Sequence, residues 1–145
     1  MKKHILIVDD EPAILFTLAF VLRTHGYKVS QAQNGSEALE MVQKAWDEGL
    51  PFDLVMTDIQ MPKLNGIGLI DALKAKGMTI PIFVLTGSRD TELMKRLMNK
   101  GCCGFLYKPC DFREIARQVK SILEPKASGA TRRAATLSMG LGTSL

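Results

Sequence analysis

His4-Ile5-Leu6-Ile7-Val8-Asp9-Asp10-Glu11-Pro12 decides the reading of this chain. Four consecutive aliphatic residues end abruptly on three acids, and a proline follows. An unbroken apolar run this short, bounded by polar residues, reads as a strand buried on both faces of a parallel sheet. The pattern recurs: Asp53-Leu54-Val55-Met56-Thr57 closes on Asp58, Ile82-Phe83-Val84-Leu85 on Thr86, and Gly104-Phe105-Leu106-Tyr107 on Lys108-Pro109. In an open parallel sheet the chemistry gathers at the carboxyl ends of the strands. Carboxylates, a hydroxyl and an ammonium are therefore expected at one edge. Acids crowded that closely repel one another unless a cation sits among them. A hard divalent ion with oxygen ligands, Mg2+, is the simplest resolution.

Helical patterns separate the runs. Pro12 fits a first helical position, and Ile14, Leu15, Leu18, Val21 and Leu22 recur at helical spacing until Gly26. A short strand is expected near Tyr27–Gln31. Asn34-Gly35-Ser36-Glu37 opens a second helix, which stops at Gly49-Leu50-Pro51. The segment Met61-Pro62-Lys63-Leu64-Asn65-Gly66 is rich in turn residues. Further helices are expected from about Ile67 to Lys76, Asp90 to Lys100 and Asp111 to Leu123, the last with Asp111 and Glu114 placed for a capping box. Strict β-α alternation predicts an α/β fold, a doubly wound, five-stranded parallel sheet with five helices; right-handed crossovers leave few topologies, of which the flavodoxin-like strand order 2-1-3-4-5 is the favourite.

With 145 residues, 46% hydrophobic and 23% charged, the chain has the composition of one soluble globular domain. Its apolar stretches fall well short of the roughly 18 residues that a membrane span needs, so no membrane association is expected. Met1-Lys2-Lys3-His4 leads straight into a strand, which leaves no room for a signal peptide and predicts a cytoplasmic protein. The pI of about 9.1 points to nucleic acid until the charges are located. Lys126, Arg132 and Arg133 lie in residues 125–145 with no acid. Setting them aside leaves 16 basic against 15 acidic residues, and three cations without aromatics are a weak footprint, so nucleic-acid binding is not expected. The chain divides into a domain over 1–124 and a flexible tail or linker over 125–145, rich in Ala, Ser, Gly and Thr. Cys102, Cys103 and Cys110 lack metal-ligand spacing and read as small apolar fillers.

Five elements now stand in order: Val8-Asp9-Asp10-Glu11, Thr57-Asp58-Ile59-Gln60-Met61-Pro62, Asn65-Gly66, Leu85-Thr86-Gly87 and Phe105-Leu106-Tyr107-Lys108-Pro109. Over residues 3–124 the chain resembles the receiver domains of two-component response regulators. The resemblance implies that Asp58 is the phosphoacceptor. Asp9 and Asp10 hold Mg2+ directly or through water, with Asp58 and the backbone carbonyl of Gln60 completing the protein's ligands. Thr86 and Lys108 contact the phosphoryl oxygens, and Phe105 aligns with the aromatic that, with Thr86, moves on activation. It further implies a cis Lys108-Pro109 bond, with the ammonium within salt-bridge reach of Asp58. The chain departs from the commonest pattern at Cys102 and Cys110. Gln60 and Ser88 occupy the positions that tune the phosphoryl lifetime in receivers.

Plainer roles exist for each residue. Asp9 or Asp10 could cap the first helix, Asp58 could be a turn residue, Lys108 a surface lysine, Thr86 a strand end and Phe105 ordinary core. The combined reading is a phosphoacceptor switch of a phosphorelay. A histidine kinase or histidine phosphotransfer protein is the donor, a downstream protein target is the output, and no external substrate is turned over. One alternative is a receiver segment of a larger hybrid kinase or multidomain regulator. A remote one is a Mg2+-dependent phosphohydrolase with an aspartyl-phosphate intermediate, which commonly carries an acid where this chain has Gln60.

Overall fold

A computed structural model describes residues 2–124. The expected tail over 125–145, with its three cations, lies outside the described residues. Five strands alternate with five helices: β1 His4–Val8, α1 Pro12–Thr24, β2 Lys28–Ala32, α2 Gly35–Asp47, β3 Leu54–Thr57, α3 Gly66–Ala75, β4 Ile82–Thr86, α4 Thr91–Asn99, β5 Gly104–Tyr107 and α5 Phe112–Leu123. All strand pairs are parallel and the order is β2-β1-β3-β4-β5, as the sequence predicts.

Neighbouring strand residues point to opposite faces, and each face has its own core. Ile5, Ile7, Leu54, Met56, Phe83, Leu85 and Leu106 meet Leu15, Leu18 and Leu22 of α1 and Ile115 and Val119 of α5. Leu6, Val8, Val55, Ile82 and Val84 face the other way, onto Val42 of α2, Leu69, Ile70 and Leu73 of α3, and Met94 and Leu97 of α4. This two-sided burial explains why the runs lack polar alternation. A fully buried Phe or Leu contributes about 1.5–3 kcal/mol, so these layers hold the strand ends in place.

Two expectations need correction. The second strand begins at Lys28 rather than Tyr27, because the Tyr27 amide donates to the Leu22 carbonyl (3.3 Å) and closes α1. The phenol of Tyr27 is tied to Glu124 beyond α5. The capping box of α5 is replaced by a simple N-cap. Asp111 accepts the Arg113 amide at 2.8 Å, but the Glu114 carboxylate is taken by Gln118 (2.9 Å) and Arg117, both further along the helix. The cysteines form no disulfide. Cys102 is core, and burial raises its thiol pKa to about 11.

Candidate functional site

The sheet changes winding direction between β1 and β3, which are hydrogen-bonded neighbours with Val8 opposite Thr57. The next residue on each strand is an aspartate. The Asp58 amide donates to the Val8 carbonyl at 3.0 Å, and the Asp9 amide to the Ala32 carbonyl at 3.1 Å. The ladder therefore fixes both backbones before their side chains begin. Asp9 and Asp58 are 4% and 8% exposed, while Asp10 is exposed.

Local bonds aim the carboxylates. Asp9 accepts the Glu11 amide at 3.0 Å, and Asp58 accepts the amide of its neighbour Ile59 at 2.6 Å. The Thr57 hydroxyl holds the Asp58 carbonyl at 2.8 Å. Gly66 also approaches that carbonyl, and a Cβ there would lie 2.3 Å from its oxygen. Sequence reasoning quoted Thr57 and Gly66 only as motif letters. Their work in fixing Asp58 shows only in contacts between the strand end and the following loop.

Lys108 enters from the end of β5. Its amide donates to the Thr86 carbonyl at 2.7 Å, and the Lys108-Pro109 bond is cis, as expected. The ammonium lies 2.6 Å from Asp9, 3.0 Å from Asp58 and 3.8 Å from Glu11. Asp9 is thus its nearest partner. Burial lowers the Lys108 pKa, but hydrogen bonds to Asp9 and then Asp58, with their charges, outweigh it and hold the ammonium above its ordinary range.

One ammonium facing Asp9, Asp10 and Asp58 leaves the cluster two negative charges in excess. Oxygens of these three residues lie within 4.8 Å of one another. An all-oxygen donor set with residual negative charge fits a hard divalent cation such as Mg2+. Gln60 is exposed in the loop beyond Asp58.

Thr86 is fully buried at the end of β4, opposite Tyr107, and its hydroxyl accepts the Ser88 amide at 3.1 Å. Phe105 is half-buried and meets Tyr107 edge-on, with centroids 5.4 Å apart. The Arg89 guanidinium stacks over the other ring of that pair, 4.5 Å from the Tyr107 centroid. Nothing in the spacing of Arg89 and Tyr107 announced that contact. Six of the seven residues singled out from the sequence thus lie at the carboxyl ends of β1, β3, β4 and β5 or in the loop after β3, while Phe105 lies within β5, paired with Val84. Asp9, Asp58 and Lys108 are in direct contact, Asp10 joins their cluster, and Thr86 is tied to it through the Lys108 amide, whereas Phe105 meets Tyr107 and the side chains of α4 instead.

Residues 5–120 match the response regulator receiver domain family. The chain is 32% identical over 137 residues to the transcriptional regulatory protein PrrA of Mycobacterium tuberculosis, covering 94% of this chain and 57% of that protein. It is 39% identical over 124 residues to the alkaline phosphatase synthesis transcriptional regulatory protein PhoP of Bacillus subtilis, covering 85% of this chain and 49% of that protein. The chain therefore spans only about half the length of these relatives. The chemotaxis protein CheY4 of Vibrio cholerae superposes with a TM-score of 0.76 at 28% identity, over 85% of this chain and all of that one.

Proposed function

The chain belongs to the response regulator receiver domain family of two-component systems, and from that premise we propose that it is a phosphoacceptor switch with Asp58 as the acceptor. The observation that carries this reading is the Asp9–Lys108–Asp58 contact at the carboxyl edge, with Asp10 beside it. No helix of the described residues is long and apolar enough to cross a membrane.

Asp58 is held for attack by the Ile59 amide on one oxygen and Lys108 on the other. A carboxylate oxygen of Asp58 bonds to phosphorus as the P–N bond of a donor phosphohistidine breaks, and the electron pair leaves with the imidazole. Catalysis of such a transfer is mostly positioning and electrostatic stabilisation. Asp9, Asp10, Asp58 and the Gln60 carbonyl would hold Mg2+, which supplies positive charge to offset repulsion between carboxylate and phosphoryl oxygens. Lys108 supplies a second positive charge from the β5 side. Thr86 would exchange its Ser88 contact for a phosphoryl oxygen, and Phe105 would follow into the space it leaves. Phe105 lines a groove of about 430 Å3 with Met94, Met98 and Tyr107, so its movement would alter the surface offered to a downstream protein. A histidine kinase or histidine phosphotransfer protein is the donor in this reading.

Acetyl phosphate with Mg2+ tests it. The expected product is one phosphoryl group per chain on Asp58, seen by mass spectrometry and lost at alkaline pH. Sustained release of phosphate from many unrelated phosphoesters would instead make the chain a phosphohydrolase. The length of the matched transcriptional regulators favours a second arrangement, in which this receiver controls an output domain in the same polypeptide.

A further inference from the structure

The first turn of helix α2 is bonded to the β3–α3 loop. The Asn34 side chain caps α2 by accepting the Glu37 amide at 2.8 Å. The first N–H groups of a helix have no partner within it. Here Gly35 donates to the Leu64 carbonyl at 3.0 Å and Ser36 to the Lys63 carbonyl at 3.1 Å. Lys63 and Leu64 adopt φ of +49° and +71°, a left-handed pair that side chains disfavour. Such a backbone persists where its surroundings hold it, and the two α2 donors do so.

The approach leaves no room at position 35. A Cβ on Gly35 would sit 2.0 Å from the Leu64 carbonyl oxygen, 2.9 Å from its carbon and 3.2 Å from its Cβ. The nearest atoms are backbone, so the loop itself would have to move. Its other fixed points lie close by: the Gly66 amide donates to the Ile59 carbonyl at 2.8 Å, and Asn65 caps α3 through the Gly68 amide at 2.9 Å. Gln60 lies between these anchors.

We infer that Gly35 is a positioning residue for the metal site, with the α2 N-terminus bonded to Lys63 and Leu64 so that the loop presents the Gln60 carbonyl toward Asp9, Asp10 and Asp58. This rests on the reading of those groups as a Mg2+ site. Gly35 touches neither the ion nor the phosphoryl group. It acts through the loop.

Calorimetric titration of the full chain with Mg2+ tests the inference, with Asp10→Asn as the control for the site. Gly35→Ala should raise the Mg2+ dissociation constant at least fivefold while the circular dichroism stays that of the wild type. The Mg2+ concentration for half-maximal phosphorylation by acetyl phosphate should rise by a similar factor, with the final yield recovered at saturating Mg2+. A merely structural role would not give that split. Ser36→Pro removes the second donor at a position in the first turn where proline is tolerated, and it decides the matter if Gly35→Ala does not fold. In the wild type, Mg2+ should also shift the Gly35 and Ser36 amide resonances. Folded variants binding within twofold of wild type while Asp10→Asn loses binding, or unmoved Gly35 and Ser36 resonances, would overturn the role of Gly35 alone. A wild type that binds no Mg2+ overturns the metal site as well.

Discussion

The two edges of the sheet carry similar residues and use them differently. At the amino edge His4 opens β1, Lys28 opens β2 and Asp53 precedes β3. Asp53 accepts the His4 amide at 2.7 Å and returns its own amide to the His4 carbonyl at 2.8 Å, while the His4 ring meets the Ser30 hydroxyl at 2.7 Å. The acid there is matched by a backbone donor. At the carboxyl edge, three aspartates face one ammonium. Buried charges are costly unless paired, so the first arrangement is complete as it stands and the second is poised to take up a cation.

The largest expected effect separates the edges by chemistry. Asp58→Asn should abolish the phosphoryl adduct in a mass spectrum while the fold persists. Asp53→Ala should leave adduct formation within twofold of wild type and cost about 1 kcal/mol in a urea melt, the worth of a typical hydrogen bond. An adduct surviving on the Asp58→Asn chain would place the acceptor elsewhere.

Removing Lys108, the one compensating charge among the described residues, comes next. Lys108→Met leaves Asp9 and Asp58 buried without their cation, and breaking such a pair costs about 3 kcal/mol or more. Chemical denaturation without Mg2+ should show that loss. Mg2+ should recover part of it, which no variant of the amino edge should require.

A wild-type chain at a hundredfold excess of Mg2+ over its dissociation constant should gain about 2.7 kcal/mol, since the ion binds the folded state. Asp10→Asn should blunt the gain and Asp53→Ala should not. Melting curves unchanged across millimolar Mg2+ would remove the contrast between the edges.

The smallest effect belongs to His4. Burial first, then Lys28, lowers its pKa, and Asp53 raises it only in part. A histidine whose folded pKa lies below its unfolded value of 6.5 contributes stability above that pH and loses it as pH falls through the folded value. Wild type should therefore lose more thermal stability between pH 7 and pH 5 than His4→Gln. Equal losses would mean that the His4 ring is not held neutral. Lys108 has the opposite sign: its folded pKa is raised, so its contribution holds below the ordinary lysine value and disappears only on the alkaline side.

Much of the fold was legible because several local signals agreed. The apolar runs set the strands, Asn34 and Asp90 mark helix starts that the structure caps with those side chains, and acids stand at the strand ends. The errors arose where two local partners competed. Tyr27 had strand character, but its amide was claimed by α1. Glu114 sat at capping-box spacing, but Arg117 and Gln118 offered it nearer partners along the helix.

By itself the sequence determined the strand runs, the order of the elements and the acids and lysine at their ends, because these depend on burial period and on residues close in the chain. Only the tertiary structure decided that Lys108 lies nearer Asp9 than Asp58, that Arg89 stacks on Tyr107, and that Gly35 seats the loop at Leu64. Those contacts join residues brought together by the strand order, Lys108 and Asp9 from 99 positions apart. Their distances depend on sheet register and helix packing, and no local preference encodes either.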